Sequence, residues 1–255
     1  MSLKVGFFNL QGGTGKTTVA ANFAYVLSEF TKTLLIDCDV YCGTIGLIFG
    51  LEDKEHNLNT YLNGESTSEE IIYSYDELDV IHADVTSKAF GYKVDIDRFS
   101  ELISEISDRY DIIVIDFPPN ITEGSLVFNY IGEEDLINKM IIVGEDSIPG
   151  IINSLKSIDL ANDFSIETAG IVINKFKNVS DLTEIADDLL AVLPYSEEVE
   201  RQWVESAPIV KLNRRNKFSK SMIDFTHTIS KELLEKDLTT LRAIRLAKEI
   251  GMREE

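Results

Sequence analysis

Gln11 to Thr18 read Q-G-G-T-G-K-T-T, and three glycines, a lysine and three threonines at this spacing can hold a phosphate chain. Gly12, Gly13 and Gly15 let the backbone approach an anion closely, and successive N–H groups in such a loop converge on one point. Thr14 completes the turn. Lys16 can reach the outer phosphates of a nucleotide, and the Thr17 hydroxyl is placed to ligate Mg2+. The strict spacing G-x-x-x-x-G-K-T would put glycine where Leu10 stands, so the motif draws its force from context. An apolar run, VGFFN, precedes it, and a segment of helical period follows, which places the loop where a strand becomes a helix.

Carboxylates follow two further apolar runs: Asp37 and Asp39 after TLLI, and Asp116 after DIIVI. In a parallel sheet the carboxyl ends of the strands share one edge, and ligands bind there. A single aspartate at a strand end caps a turn as often as not. Three of them beside a phosphate loop read as a metal shell and a water-orienting group instead.

These residues need a sheet to position them. The runs VGFFN, TLLID, LDVIHA, DIIVID, MIIVG, AGIVIN and AVLP alternate with longer segments of helical period. That alternation predicts an α/β fold, a doubly wound and mostly parallel sheet with helices on both faces. Val19, Phe23, Val26 and Phe30 recur at helical spacing, so an amphipathic helix follows the glycine loop. Further helices are expected over Asp97 to Tyr110, Glu123 to Ile131, Pro149 to Ala161 and Asp181 to Leu190, and from Lys217 onward. Helical turns and loop are expected from Glu52 to Asp76. The 255 residues read as one domain, 1–255, with a C-terminal helical segment from about 217.

Composition narrows the function classes. No stretch reaches the ~20 apolar residues of a membrane span, and the N-terminus lacks a signal-peptide layout, which predicts a cytoplasmic protein. Cys38 and Cys42 are spaced C-x-x-x-C and read as reduced thiols rather than a zinc pair. With 24 Lys plus Arg against 44 Asp plus Glu, the net charge of -20 repels nucleic acid and anionic membranes in general. A local exception is KLNRRNKFSK, where Lys211, Arg214, Arg215, Lys217 and Lys220 could meet DNA phosphates; the preferred reading is a solvated segment paired with nearby acids. The last segment, DLTTLRAIRLAKEIGMREE, is only weakly amphipathic and argues against stable membrane anchoring.

Taken together, five ordered motifs resemble the MinD/ParA family of deviant Walker A P-loop ATPases. Q-G-G-T-G-K-T-T is similar to the family's K-G-G-x-G-K-T-T, and L-L-I-D-C-D-V-Y-C-G-T to its switch I strand. Y-D-I-I-V-I-D-F-P-P is similar to switch II, and G-I-V-I-N-K to the base-recognition strand. L-P-Y-S-E-E-V-E-R-Q-W-V-E-S-A-P-I-V resembles I-P-x-D-x-x-V-x-x-A-x-x-x-G-x-P-V. The resemblance implies ATP and Mg2+ as cofactors and phosphate contacts from Gly12 through Thr18. It also implies Lys16 and Asp39 as the catalytic pair, with Asp39 positioning the hydrolytic water and Asp37 and Asp116 supporting the metal and loop. Asn174 would read the adenine edge, flanked by Pro194 and Tyr195. An amide offers a donor and an acceptor together, and the Asn-Lys-x-Asp of a guanine site is absent, because Phe176 and Lys177 follow Asn174 and Lys175.

One position departs from the pattern. The family lysine that reaches across a nucleotide-dependent homodimer is Gln11 here. Neutral hydrogen bonds are about half as strong as charge-assisted ones, so slow hydrolysis follows, with an unidentified protein partner supplying the missing cation. The expected role is a nucleotide-switched positioning, partitioning or regulatory ATPase. The alternative is an ATP-gated binding module with little or no hydrolysis; a small-molecule kinase or ligase fits the segment around Val199 to Val210 less well.

Overall fold

The computed structural model describes residues 2–92, 94–119 and 136–234. The central apolar runs form strands because each is short, apolar and buried on both faces, whereas β8 at the sheet edge is only partly buried. In chain order, β1 (Leu3–Phe8) leads through the glycine loop into α1 (Lys16–Ser28), and β2 (Thr33–Asp37) follows. Two short helices, α2 (Ile45–Ile48) and α3 (Leu58–Leu62), precede β3 (Tyr73–Tyr75) and β4 (Leu78–Ile81). Next come α4 (Ile96–Ile106), β5 (Ile112–Asp116), β6 (Lys139–Glu145), α5 (Ile148–Asp163), β7 (Thr168–Phe176) and β8 (Leu189–Pro194). The described chain closes with α6 (Arg201–Glu205), α7 (Ile209–Leu212) and α8 (Lys217–Leu234).

The strands form one sheet in the order β3-β4-β2-β5-β1-β6-β7-β8, in which only the β3–β4 pair is antiparallel. β1 lies between β5 and β6, with Phe7 beside Asp116 and beside Ile141. The register of β2 on β5 sets Asp37 beside Asp116. Alternate side chains divide the core into two layers. Val5, Phe7, Leu35 and Val114 pack with α1, α2, α7 and α8 on one face. Phe8, Ile36, Ile113 and Ile115 pack with α3, α4 and α5 on the other. Helices on both faces of a mostly parallel sheet are the doubly wound arrangement expected.

Several details differ from the expectations. Helix α1 is not amphipathic: its polar Thr18, Asn22 and Ser28 are buried along with Val19, Phe23 and Val26. The cause is α8, which packs over the side of α1 turned away from the sheet: the Phe23 ring, tilted against Phe7 of β1 at 5.2 Å, meets the Phe225 ring at 5.5 Å. The segment Asp181 to Leu190 is not an α-helix. A 3-10 turn spans Thr183–Asp188, and Leu189 and Leu190 already belong to β8, where Leu189 pairs with Ile171. Between Glu52 and Asp76 the chain also forms the edge strand β3, and helix α3 starts at a capping box in which Asn57 accepts from the Thr60 N–H at 3.1 Å. The expected helix over Glu123 to Ile131 and the chain beyond Leu234 lie outside the described residues.

Candidate functional site

The loop between β1 and α1 lies at the carboxyl edge of the sheet. Gly15 caps α1 in the left-handed region (φ 89°), and a Cβ there would stand 2.3 Å from Nδ2 of Asn174, so glycine is required twice over. The first N–H groups of α1 have no partner within the helix and point into the loop together with the positive end of the helix dipole. Lys16 is buried, and its ammonium donates to the Gln11 carbonyl at 3.1 Å. Burial pulls its pKa down, while the charges of Asp116 and Asp39 push it back up.

Three carboxylates underlie the loop. Asp37 spends both oxygens on backbone: Oδ1 accepts from the Asp39 N–H at 3.1 Å and Oδ2 from the Ile45 N–H at 3.0 Å. It therefore holds the β2–α2 loop in shape. Asp39 lies higher, half-buried at the cleft wall, and accepts from the Cys42 N–H at 3.0 Å. Asp116 is buried, accepts from the Thr17 hydroxyl, and leaves Oδ1 with no hydrogen-bond partner. Burial raises all three carboxyls, Asp116 to about 7, where the Thr17 hydrogen bond and Lys16 oppose the rise.

Three acids against one ammonium leave an excess of buried negative charge, and a divalent cation would neutralise it. No group of three or more His, Cys, Asp or Glu side chains among the described residues forms a metal cage by itself. That suits Mg2+, which is held by few protein oxygens and completes its shell with phosphate and water. The Thr17 hydroxyl with the unpartnered Asp116 oxygen beneath it is the place where such an ion fits.

Above the loop opens a cleft of about 350 Å3. Gly12, Gly13, Gly15, Lys16, Thr17 and Thr18 line one end, with Asp39 and Thr44 beside them. Asn174 lines the cleft against the loop, and Pro194, Tyr195, Ser196, Val199, Glu200 and Trp203 complete the lining. Asn174, at the end of β7, is buried and donates from Nδ2 to the Thr14 carbonyl at 2.9 Å. Lys175 donates to the Gly13 carbonyl at 2.6 Å, so the end of β7 braces the loop from outside. Lys177 sits over the Tyr195 ring, 4.0 Å from its centroid, and fixes that aromatic at the cleft mouth.

The structure thus gathers most of the expected site residues, but not all into the cleft. Thr14 is fully buried with its hydroxyl unpartnered, and only its carbonyl is used. Asp37 and Asp116 lie under the floor. Gln11 turns away from the cradle: Nε2 donates to Glu145 at 2.9 Å and Oε1 accepts from Asn153 at 3.0 Å. Sequence reasoning missed Thr44, Lys175, Glu200 and Trp203 as wall residues, although each falls inside a motif that resembled the family. Phe218 reaches the cleft from α8 with no sequence signal. The basic segment is partly neutralised: Lys211 pairs with Asp76 at 2.6 Å, and Arg214 pairs with Glu29.

A doubly wound sheet whose glycine loop, lysine and threonine face carboxylates on neighbouring strands defines a phosphate-binding-loop nucleotide protein. The model of the AAA domain family matches residues 3–163. The chain is 58% identical over 249 residues to the uncharacterized ATP-binding protein MJ0410 of Methanocaldococcus jannaschii, covering 98% of this chain and 94% of that one. The structure of the cell division ATPase MinD of Pyrococcus furiosus superposes with a TM-score of 0.79 at 26% identity, covering 91% of this chain and 99% of that one. MinD of Pyrococcus horikoshii, solved in complex with Mg-ADP, shares the fold with a TM-score of 0.80 at 22% identity, over 91% and 97% of the two chains. The chain belongs to the MinD/ParA family of P-loop ATPases.

Proposed function

We propose that this protein is a cytoplasmic, Mg-dependent ATP switch that hydrolyses ATP slowly and acts by positioning or regulating another component. One observation carries the reading: a single cleft joins a phosphate cradle to a wall suited to a planar base, with Thr17 and Asp116 paired below the join. The N–H groups of Gly12 to Thr18 and the Lys16 ammonium hold the phosphates, and Thr17 holds the ion with Asp116 behind it. Bound Mg2+ neutralises charge on the phosphate chain. Asp39, on the cleft wall beside Lys16, orients the attacking water. The Mg-ADP bound by the Pyrococcus horikoshii protein and the ATP-binding description of the Methanocaldococcus jannaschii relative support this choice of ligand.

Gln11 favours a second reading, an ATP-gated binding module with little hydrolysis, because its amide is engaged within the chain by Glu145 and Asn153. Dimerisation around ATP follows from family membership. DNA is a weaker partner, since Lys211 and Arg214 are engaged by acids, leaving Arg215, Lys217 and Lys220 as the contacts to test. Single-turnover hydrolysis, with molecular size measured in ATP and in ADP, separates the readings. Hydrolysis with an ATP-dependent dimer supports the switch, binding without turnover supports the module, and no ATP binding removes both.

A further inference from the structure

Gln202 in α6 is fully buried, an expensive place for a primary amide unless both of its ends are satisfied. Both are. Nε2 donates to the Thr18 hydroxyl at 3.0 Å, and Oε1 accepts from Nδ2 of Asn22 at 3.1 Å. Asn22 also donates to the Thr18 carbonyl at 2.8 Å and accepts from the Val210 N–H at 3.1 Å. Three elements, α1, α6 and α7, are therefore tied by one closed polar network inside an otherwise apolar layer. Where the resembling family pattern reads V-x-x-A, this chain reads Val199, Glu200, Arg201, Gln202.

The network joins two parts of the cleft lining. Thr18 belongs to the phosphate cradle, and its hydroxyl is taken by Gln202, which leaves its N–H for an anion. Val199, Glu200 and Trp203, within three residues of Gln202, form another stretch of the wall. The wall's other polar anchors run elsewhere: Ser196 accepts from Asn216 at 2.9 Å and Glu198 from Asn213 at 2.8 Å, both at the start of α8 or just before it.

We propose that Gln202 is a positioning residue that ties the base-side wall to the phosphate helix, and so sets how strongly the site prefers a nucleoside triphosphate over a bare triphosphate chain. This rests on the nucleotide reading given above. A wall held by packing alone would shift independently of the cradle. Held by Gln202, it keeps its distance from Thr18, and the energy of stacking a base on it is collected without first ordering the segment.

The test uses the full chain and two probes, Mg-ATP and Mg-tripolyphosphate, titrated calorimetrically. Gln202→Met keeps the volume and removes both hydrogen bonds. The expected result is a loss of about tenfold in ATP affinity and a smaller one, of about threefold at most, for tripolyphosphate, because the cradle loses only the fixing of the Thr18 side chain whereas a base loses its wall. Gln202→Glu should restore the ATP-to-tripolyphosphate ratio, since a carboxylate can accept from Asn22 and from a rotated Thr18 hydroxyl. Gln202→Ala, the residue of the family pattern, is the second variant should methionine not fold. An unchanged ratio in a folded variant overturns the proposal. So does collapse of the fold in both, which would make Gln202 a residue of core stability only. A wild-type protein that binds tripolyphosphate as well as ATP would instead overturn the base-wall reading beneath it.

Discussion

The Gln11 amide and the Glu145 carboxylate are joined by a 2.9 Å hydrogen bond that turns Gln11 toward α5 and away from the phosphate cradle. Asn153 closes the other side of the same amide at 3.0 Å, and the Ser147 hydroxyl approaches Glu145 at 3.4 Å. A lysine at position 11 would meet Glu145 as an ion pair, stronger than the present neutral-to-charged bond. Gln11→Lys should therefore raise single-turnover hydrolysis or ATP-dependent dimerisation only in part. Gln11→Lys with Glu145→Gln should raise them further, by about tenfold or more over wild type, because the ammonium is released. Rapid-quench kinetics and size measurement in ATP check this, and no change in either variant would show that position 11 is not limiting.

On the proposed reading Lys16 serves binding and Asp39 serves turnover. The buried ammonium of Lys16 donates to the Gln11 carbonyl, whereas Lys175, the other lysine of the cleft lining, is exposed and braces the Gly13 carbonyl from outside. Lys16→Met should weaken ATP by roughly 10- to 100-fold, the value of one or two charge-assisted bonds. Asp39→Asn keeps the Cys42 N–H contact and removes the charge, so ATP affinity should stay within a few-fold while single-turnover hydrolysis falls by about 10²-fold. Equal losses in both measurements would assign Asp39 to binding instead.

How far the site could be read from the chain depended on whether a residue acts through local pattern or through packing. The placement of Gly12 to Thr17, Asp37 and Asp116 was legible because strand ends of a parallel sheet share one edge, and the β2–β5 register sets Asp37 beside Asp116. Gln11 was legible as a departure, but its partners Glu145 and Asn153 lie 134 and 142 residues away, and only the β1–β6 pairing brings them together. The same holds for helix α1. Its periodic apolar stripe was visible, yet its complete burial follows from α8, whose docking no local pattern records. The mistaken helix at Asp181 to Leu190 has the reverse cause, since Leu189 and Leu190 satisfy either period and pairing with β7 decides the matter.

Ser206 closes α6 in the left-handed region, at φ 47° and ψ 47°, where the resembling family pattern carries glycine. A side chain there costs about 1–2 kcal/mol, part of which is offset by the greater freedom of glycine in the unfolded chain. Gly50 faces its Cβ with room to spare, since a Cβ built on Gly50 would still stand 3.5 Å away, so little packing is lost when the serine side chain is removed. Ser206→Gly should stabilise the protein by roughly 0.5–1 kcal/mol, or about 1–4 °C in Tm for a chain of this size. A melt that falls instead would mean that the serine hydroxyl contributes more than the strain costs.

His82 gives the protein an acid-sensitive point away from the phosphate cradle. It is buried beside the Tyr73 ring, its Nδ1 lies 2.8 Å from the Ala83 carbonyl, and it packs against Gly46 of α2. Burial holds its pKa below the usual 6.5, and the carbonyls of Ala83 and His56 with the charges of Asp84 and Glu52 only partly counter this. The folded protein therefore keeps His82 neutral at a pH where the unfolded chain has already taken up a proton. The stability from this group is complete above about pH 6.5 and is lost as the pH falls through the folded-state value. His82→Gln, a neutral residue that can still hydrogen-bond, should flatten the acid side of the stability profile by up to about 1.4 kcal/mol per pH unit. Urea midpoints from pH 5 to pH 8 measure it, and parallel acid slopes for the two proteins would remove His82 as the cause.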